Sequence, residues 1–231
     1  MWGVLAAIAL TPSPPVLVPQ LVGSAAAEVA AFRDAAIAAA AALPDRWVVV
    51  GVGPEAAVVG PHVRGTFAGY GVDVPVTLAP EVPDTVSALP LCALIAGWLR
   101  VHANPAATAE VRVYARGLAA GTAVAEGRAL RAEIDAAGAP IGVLVVADGA
   151  DTLTPPAPGG YDPEAAAVQQ MLDDALARGD ADALTRLPDS IVGRVAYQVL
   201  AGLSGPGPAA AAEAVRGAPY GVGYFVGTWT P

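Results

Sequence analysis

The densest run of chemically capable side chains is Asp148-Gly149-Ala150-Asp151-Thr152, which comes directly off an apolar stretch. Two carboxylates this close can share a proton or hold a hard cation, and the same residues also spell an ordinary turn. Ser13 stands between prolines in Thr11-Pro12-Ser13-Pro14-Pro15, and Glu55 and His62 come after a second apolar run. Asp148, Asp151 and His62 form the candidate catalytic set, and a divalent metal on Asp148, Asp151 and either His62 or Glu55 would serve a hydrolytic or lyase step. Histidine is scarce, only His62 and His102, and a facial iron triad needs two histidines and a carboxylate at one point. His102 precedes Asn104-Pro105 and reads as a helix end, and Cys92, in an apolar run, reads as an inert core thiol. Gly51-Val52-Gly53-Pro54 lacks the third glycine of a dinucleotide loop, and Pro54 stands where free N–H groups would face phosphate. Neither a phosphate loop nor a Gly-x-Ser-x-Gly elbow occurs.

Apolar strands must position these residues. Residues 2–10, 46–52 and 141–147 are near-continuous apolar runs, the pattern of strands covered on both faces. Between them lie helical stretches: Ser24 as a cap for a helix reaching Leu43, a helix apolar on all sides over residues 91–100, and one opened by Thr122. Asp162-Pro163-Glu164 starts another helix that Gly179 ends, and Asp189 is placed to cap the last. Residues 220–229 carry β-formers and close the sheet. The alternation predicts an α/β fold, a mainly parallel central sheet with helices on both faces, as a single domain over 1–231. Ligands of such sheets sit beyond the carboxyl ends of the strands. A pocket there draws on the loops 11–15, 53–62 and 148–161 and is lined by Ser13, Glu55 or His62, Asp148, Asp151 and Thr152, with Tyr220 or Tyr224 nearby. None of these loops contains an arginine, so an acidic pocket favouring cationic or hydroxylated ligands is expected.

Composition narrows the partners. The 231 residues are 55% hydrophobic and 14% charged, which excludes disorder. Lysine is absent, and twelve arginines thinly spread over a net charge of −9 leave no basic cluster for nucleic acid. The first apolar run stops at the prolines after Leu10, well short of the roughly 20 residues of a bilayer span. With one cysteine, a cytoplasmic protein with no membrane partner is expected. Trp229 with Tyr220, Tyr224 and Phe225 adds aromatic area near the C-terminus, either packing the last strand or anchoring a homodimer.

Four stretches resemble the class III extradiol dioxygenase B-subunit-like (LigB-like) family, to which the Memo proteins also belong. Residues 6–19 are similar to its opening strand and proline turn, and residues 47–54 to its second strand and metal loop. Residues 145–162 resemble its Gly-Asp-Leu-Ser-His segment and residues 218–226 its closing strand. The alanine richness is that of an actinobacterial-type member. The resemblance implies a LigB-like fold and a ferrous ring-cleavage site, but the residues depart from it at every metal and base position. Ser13 stands where an iron histidine lies between prolines, and the second iron histidine falls near Gly53. The catalytic-base histidine falls within 148–152, where Asp151 and Thr152 stand, and the iron glutamate falls near Gly193-Arg194. With these departures, the resemblance implies a family member without iron or other cofactor that retains a small-molecule or partner-binding role. The alternative is an active dioxygenase with Fe2+, or another metal enzyme on Asp148, Asp151 and His62.

Overall fold

The computed structural model describes residues 5–231, with all their side chains except those of Ser24 and Ala25. The expected strand residues Trp2 to Val4 and the capping role of the Ser24 side chain lie outside the described residues. In chain order the elements are β1 (Leu5–Thr11), α1 (Pro19–Val22), α2 (Ala30–Ala41), β2 (Arg46–Gly53), β3 (Ala57–Val59), β4 (Arg64–Thr66) and β5 (Pro75–Thr77). They continue with α3 (Leu91–Ala103), β6 (Thr108–Ala115), α4 (Ala120–Ala136), β7 (Ile141–Val146), α5 (Ala165–Arg178), α6 (Ala181–Leu184), α7 (Arg194–Ser204), β8 (Ala210–Gly217) and β9 (Tyr224–Thr230).

Seven strands form one mixed sheet in the order β3-β6-β2-β7-β1-β9-β8. Its core is parallel, β6-β2-β7-β1, and the flanking β3, β9 and β8 run antiparallel to their neighbours. The expected α/β class is thus observed, and the three apolar runs expected as inner strands are β1, β2 and β7. Their side chains alternate between faces, as a pleated strand requires. Ala9, Val49, Leu144 and Val146 face a core with α2 and α3, while Ile8, Leu10, Val50, Val143 and Val145 face a core with α4 to α7. Both faces being dry explains why these strands read as unbroken apolar runs.

Local chemistry sets the helix ends. Gly179 adopts φ 70° and closes α5, its N–H reaching Ala175 O. Asp180 then caps α6 by accepting a hydrogen bond from Ala183 N at 3.0 Å. Asp189 does not cap the last helix: α7 begins at Arg194, and Asp189 instead pairs with the Arg194 Nε at 3.0 Å. The long first helix begins at Ala30, because residues 19–27 break into a short α turn and a 3-10 turn. In α3 the buried Arg100 guanidinium donates to Thr77 O at 2.8 Å and Pro105 O at 2.6 Å, so carbonyls, not a carboxylate, satisfy it. No described helix is long and apolar enough to cross a membrane.

Candidate functional site

Because β1, β2, β6 and β7 are parallel, their carboxyl ends emerge at one edge, and there the chain opens a cleft of about 360 Å3. Ser13, Gly53, Arg116 and Asp148 lead from these four strands into its wall, and Gly193, just before α7, and Cys92 of α3 complete it. A second cavity of about 610 Å3, lined by Asp151, Thr152, Asp189 and Arg194, adjoins the first through Arg116 and Val192.

Asp148 is the centre of the cleft chemistry. It is 9% exposed, and its two carboxylate oxygens accept the Ser13 N–H at 2.8 Å and the Ser13 O–H at 2.5 Å. Burial pushes its pKa up to about 6 against the pull of the Ser13 bonds, and the neighbouring Asp151 charge adds to the rise. The prolines around Ser13 hold that residue at the end of β1, where its N–H and O–H can both turn to the carboxylate. The Tyr197 O–H donates to Ala147 O at 2.9 Å, and Gly193 N donates to Asp148 O at 2.8 Å, so α7 fixes the backbone on either side of the Asp148 α-carbon.

A deeper support lies in α5. Gln169 accepts from Ala150 N at 2.8 Å and donates to Asp173 Oδ1 at 2.8 Å, both buried. Its amide passes between Gly149 and Gly223, where a methyl on either would come within 2.0 and 2.1 Å of the Gln169 Oε1. Burial raises the Asp173 pKa to about 6 as well. Gln169→Ala is expected to strand the Ala150 N–H and the Asp173 carboxyl together, lowering stability by about 2 kcal/mol and loosening the 148–152 loop. Amide exchange at Ala150 and Asp151 checks it; unchanged protection there would refute the supporting role of Gln169.

The sequence-derived pocket is assembled in part. Ser13, Asp148, Asp151 and Thr152 do gather at the carboxyl edge, with Thr152 Oγ1 buried and without a hydrogen-bond partner among the described residues. His62 does not join them. Strand β3 runs back antiparallel along β6, so the chain reaches His62 at the amino edge, exposed, its ring nitrogen 3.4 Å from Glu81 O. Pro61 beside it meets Arg46 and Thr108, the first residues of β2 and β6. Glu55 is exposed in the turn after β2 and outside the cleft wall, where Pro54 stands instead. Tyr220 is 40% exposed in a 3-10 turn at φ 58°, away from the cleft wall. Tyr224 is buried against Phe32, its phenol pushed up by burial and by the Asp148 charge. Trp229 and Phe225 are buried too, the former donating to Leu176 O at 2.8 Å, so Tyr224, Phe225 and Trp229 pack the last strand and Tyr220 alone of the four is exposed.

Arg116 corrects the expectation of a purely acidic pocket: it comes after β6, outside the three loops considered from the sequence. The Gly51-Val52-Gly53 spacing serves packing. A methyl on Gly51 would lie 2.4 Å from Cys92 Cβ, and one on Gly53 2.7 Å from Val113 Cγ1, so the glycines let α3 and β6 close in. The Cys92 thiol is raised to about 11 by burial and stays protonated.

Fold and site together define an α/β protein with a mixed seven-stranded sheet, a parallel core, and a cleft at the carboxyl edge of that core. The chain is similar in structure to an uncharacterized protein, JW3007, from Escherichia coli K12, with TM-score 0.58 and 12% identity over 97% of this chain and 99% of that one. No family profile and no curated protein matches the sequence.

Proposed function

We propose that this chain is a divergent LigB-like protein that has lost the ferrous iron site and ring cleavage and uses its cleft to bind a small molecule. The observation that carries this reading is the convergence of Ser13, Gly53, Asp148 and Gly193 on one cleft. These are places where the family resemblance sets an iron ligand or the segment of the base, and they lie far apart in sequence. The match to the Escherichia coli structure supports the fold alone.

The residues present do not fit iron. The Ser13 N–H and O–H both bond Asp148, and Gly53 and Gly193 offer no side-chain ligand atom. Neither glycine can be exchanged for a ligand without movement: a methyl at Gly193 would lie 2.6 Å from Asp148 O, and one at Gly53 would press on Val113. Among the described residues no group of three or more His, Cys, Asp or Glu comes together to hold a metal. Imidazole and carboxylate ligands supply most of the affinity of such a site, and a serine already bonded elsewhere is a poor replacement.

Anaerobic reconstitution with ferrous iron, elemental analysis and oxygen uptake with protocatechuate-like catechols test the loss of chemistry. The expected result is iron well below one per chain and no catechol-dependent uptake; stoichiometric iron with steady uptake would overturn the proposal. A thermal-shift screen of metabolites on wild type and Asp148→Ala tests the cleft, where a true ligand stabilises the first and not the second.

A further inference from the structure

The charges of the cleft form two separate poles. Asp148 is buried, and among the described residues no arginine or histidine forms an ion pair with it. The groups that bear on it are all of its own sign or neutral: Asp151, and the phenols of Tyr197 and Tyr224. Ser13 takes one bond on each carboxylate oxygen, and each oxygen keeps further acceptor capacity. A buried carboxylate without a counter-charge is costly, and a cationic group entering from the cleft relieves that cost.

Arg116 provides the opposite pole. Its backbone N–H is anchored to Gly53 O at 2.9 Å, yet its exposed guanidinium makes no hydrogen bond or ion pair among the described residues. Arg112, Arg131, Arg186, Arg194 and Arg216 reach carboxylates, and of the arginines whose side chains make no hydrogen bond or ion pair among the described residues, Arg46, Arg116 and Arg128, it is Arg116 that lines this cleft. Val52, Tyr70, Pro90 and Leu91 add a largely apolar wall to the same cleft. At about 360 Å3 it lies at the small end of ligand sites.

Resting on the small-molecule reading above, we propose that the cleft takes a small zwitterion, its ammonium seated on Asp148, its carboxylate held by Arg116 and its carbon chain along the Tyr70–Leu91 wall. Polyanions such as nucleotides are disfavoured, because Arg116 is flanked by carboxylates on both sides, Asp148 in the cleft and Asp151 in the adjoining cavity. A simple amine leaves Arg116 unused, and a simple carboxylate meets Asp148 without relieving it.

The test is calorimetric titration with a ladder of ω-aminocarboxylates, β-alanine, 4-aminobutyrate, 6-aminohexanoate and 8-aminooctanoate, beside hexylamine and hexanoate. One length is expected to bind best, about tenfold tighter than hexylamine, with hexanoate weakest. Asp148→Asn keeps a side chain that can bond Ser13 and is expected to weaken every amine-bearing ligand about tenfold or more. Arg116→Gln is expected to erase the advantage of the zwitterion while leaving hexylamine binding in place. Hexanoate binding as tightly as every zwitterion, indifference to Asp148→Asn, or no binding anywhere on the ladder would each overturn the proposal. Iron loading is read separately, so the ligand class can fail while the iron-free reading stands, and the reverse.

Discussion

Gly202→Ala is expected to destabilise the protein by about 3 kcal/mol or more, a loss of roughly 6–12 °C in Tm for a chain of this size. Helices α4 and α7 cross with a glycine on each side. A methyl on Gly202 would lie 2.0 Å from Val124 O, and one on Gly127 2.0 Å from Val199 O. Both obstacles are backbone, so no side chain can rotate aside and the helices must part. The gain in helix propensity from glycine to alanine, about 1 kcal/mol, offsets only part of this. Parting the helices would also withdraw Gly193, at the start of α7, from Asp148 O. Gly121, in the same α4, has nothing within 4 Å of such a methyl, so Gly121→Ala is expected to stabilise slightly. Urea denaturation of both variants decides it, and equal effects would show that the crossing is not the cause.

Asp148→Asn is expected to make the protein more stable at pH 8, by up to about 3 kcal/mol, and to leave it unchanged near pH 4. Folded Asp148 binds its proton at about pH 6, against 3.8 for the ordinary side chain. Between those values the native state holds more protons than the unfolded chain, so wild-type stability falls as pH rises through the window. The displacement corresponds to about 3 kcal/mol once pH exceeds 6. Asparagine resembles the protonated acid and escapes that fall. Asp173, also raised to about 6, is present in both proteins and keeps part of the slope in each. Denaturant midpoints at pH 4, 6 and 8 provide the measurement. A variant less stable than wild type at pH 8 would mean that the Ser13 bonds outweigh burial. Retention of a destabilising charge in a cleft fits selection for binding more than for stability.

The parts of this architecture legible in the sequence are those that local pattern determines. β1, β2 and β7 are dry on both faces, and unbroken apolar runs announce that; Asp148 comes directly after one of them, so its place at the carboxyl edge could be read off. What was hidden depends on partners far along the chain. His62 looked close to the site because three-residue β3 gives no sign that it reverses direction along β6. Residues 210–217 carry a poor strand composition and pair only because β9 lies beside them. Gln169 has no local signal of its role, which comes from Gly149 and Gly223 on either side of its amide. Arg116 carries no local signal of its role, because an arginine after a strand is commonplace.

The neighbourhood of β1 has a kinetic consequence. Its parallel partner is β7, and its other partner is β9, with Ile8 opposite Trp229 and Leu10 opposite Gly227. On the ribosome β9 emerges after the other six strands of this sheet, so one edge of β1 waits unpaired while they are already made. Pairings of such long sequence separation carry a high loop-closure cost and place the fold among slow folders. Until β9 arrives, the apolar edge of β1 is open to a neighbouring chain. Nascent chains arrested before Tyr224 should therefore be the aggregation-prone species in the life of this protein, and docking of β9 the step that ends the hazard.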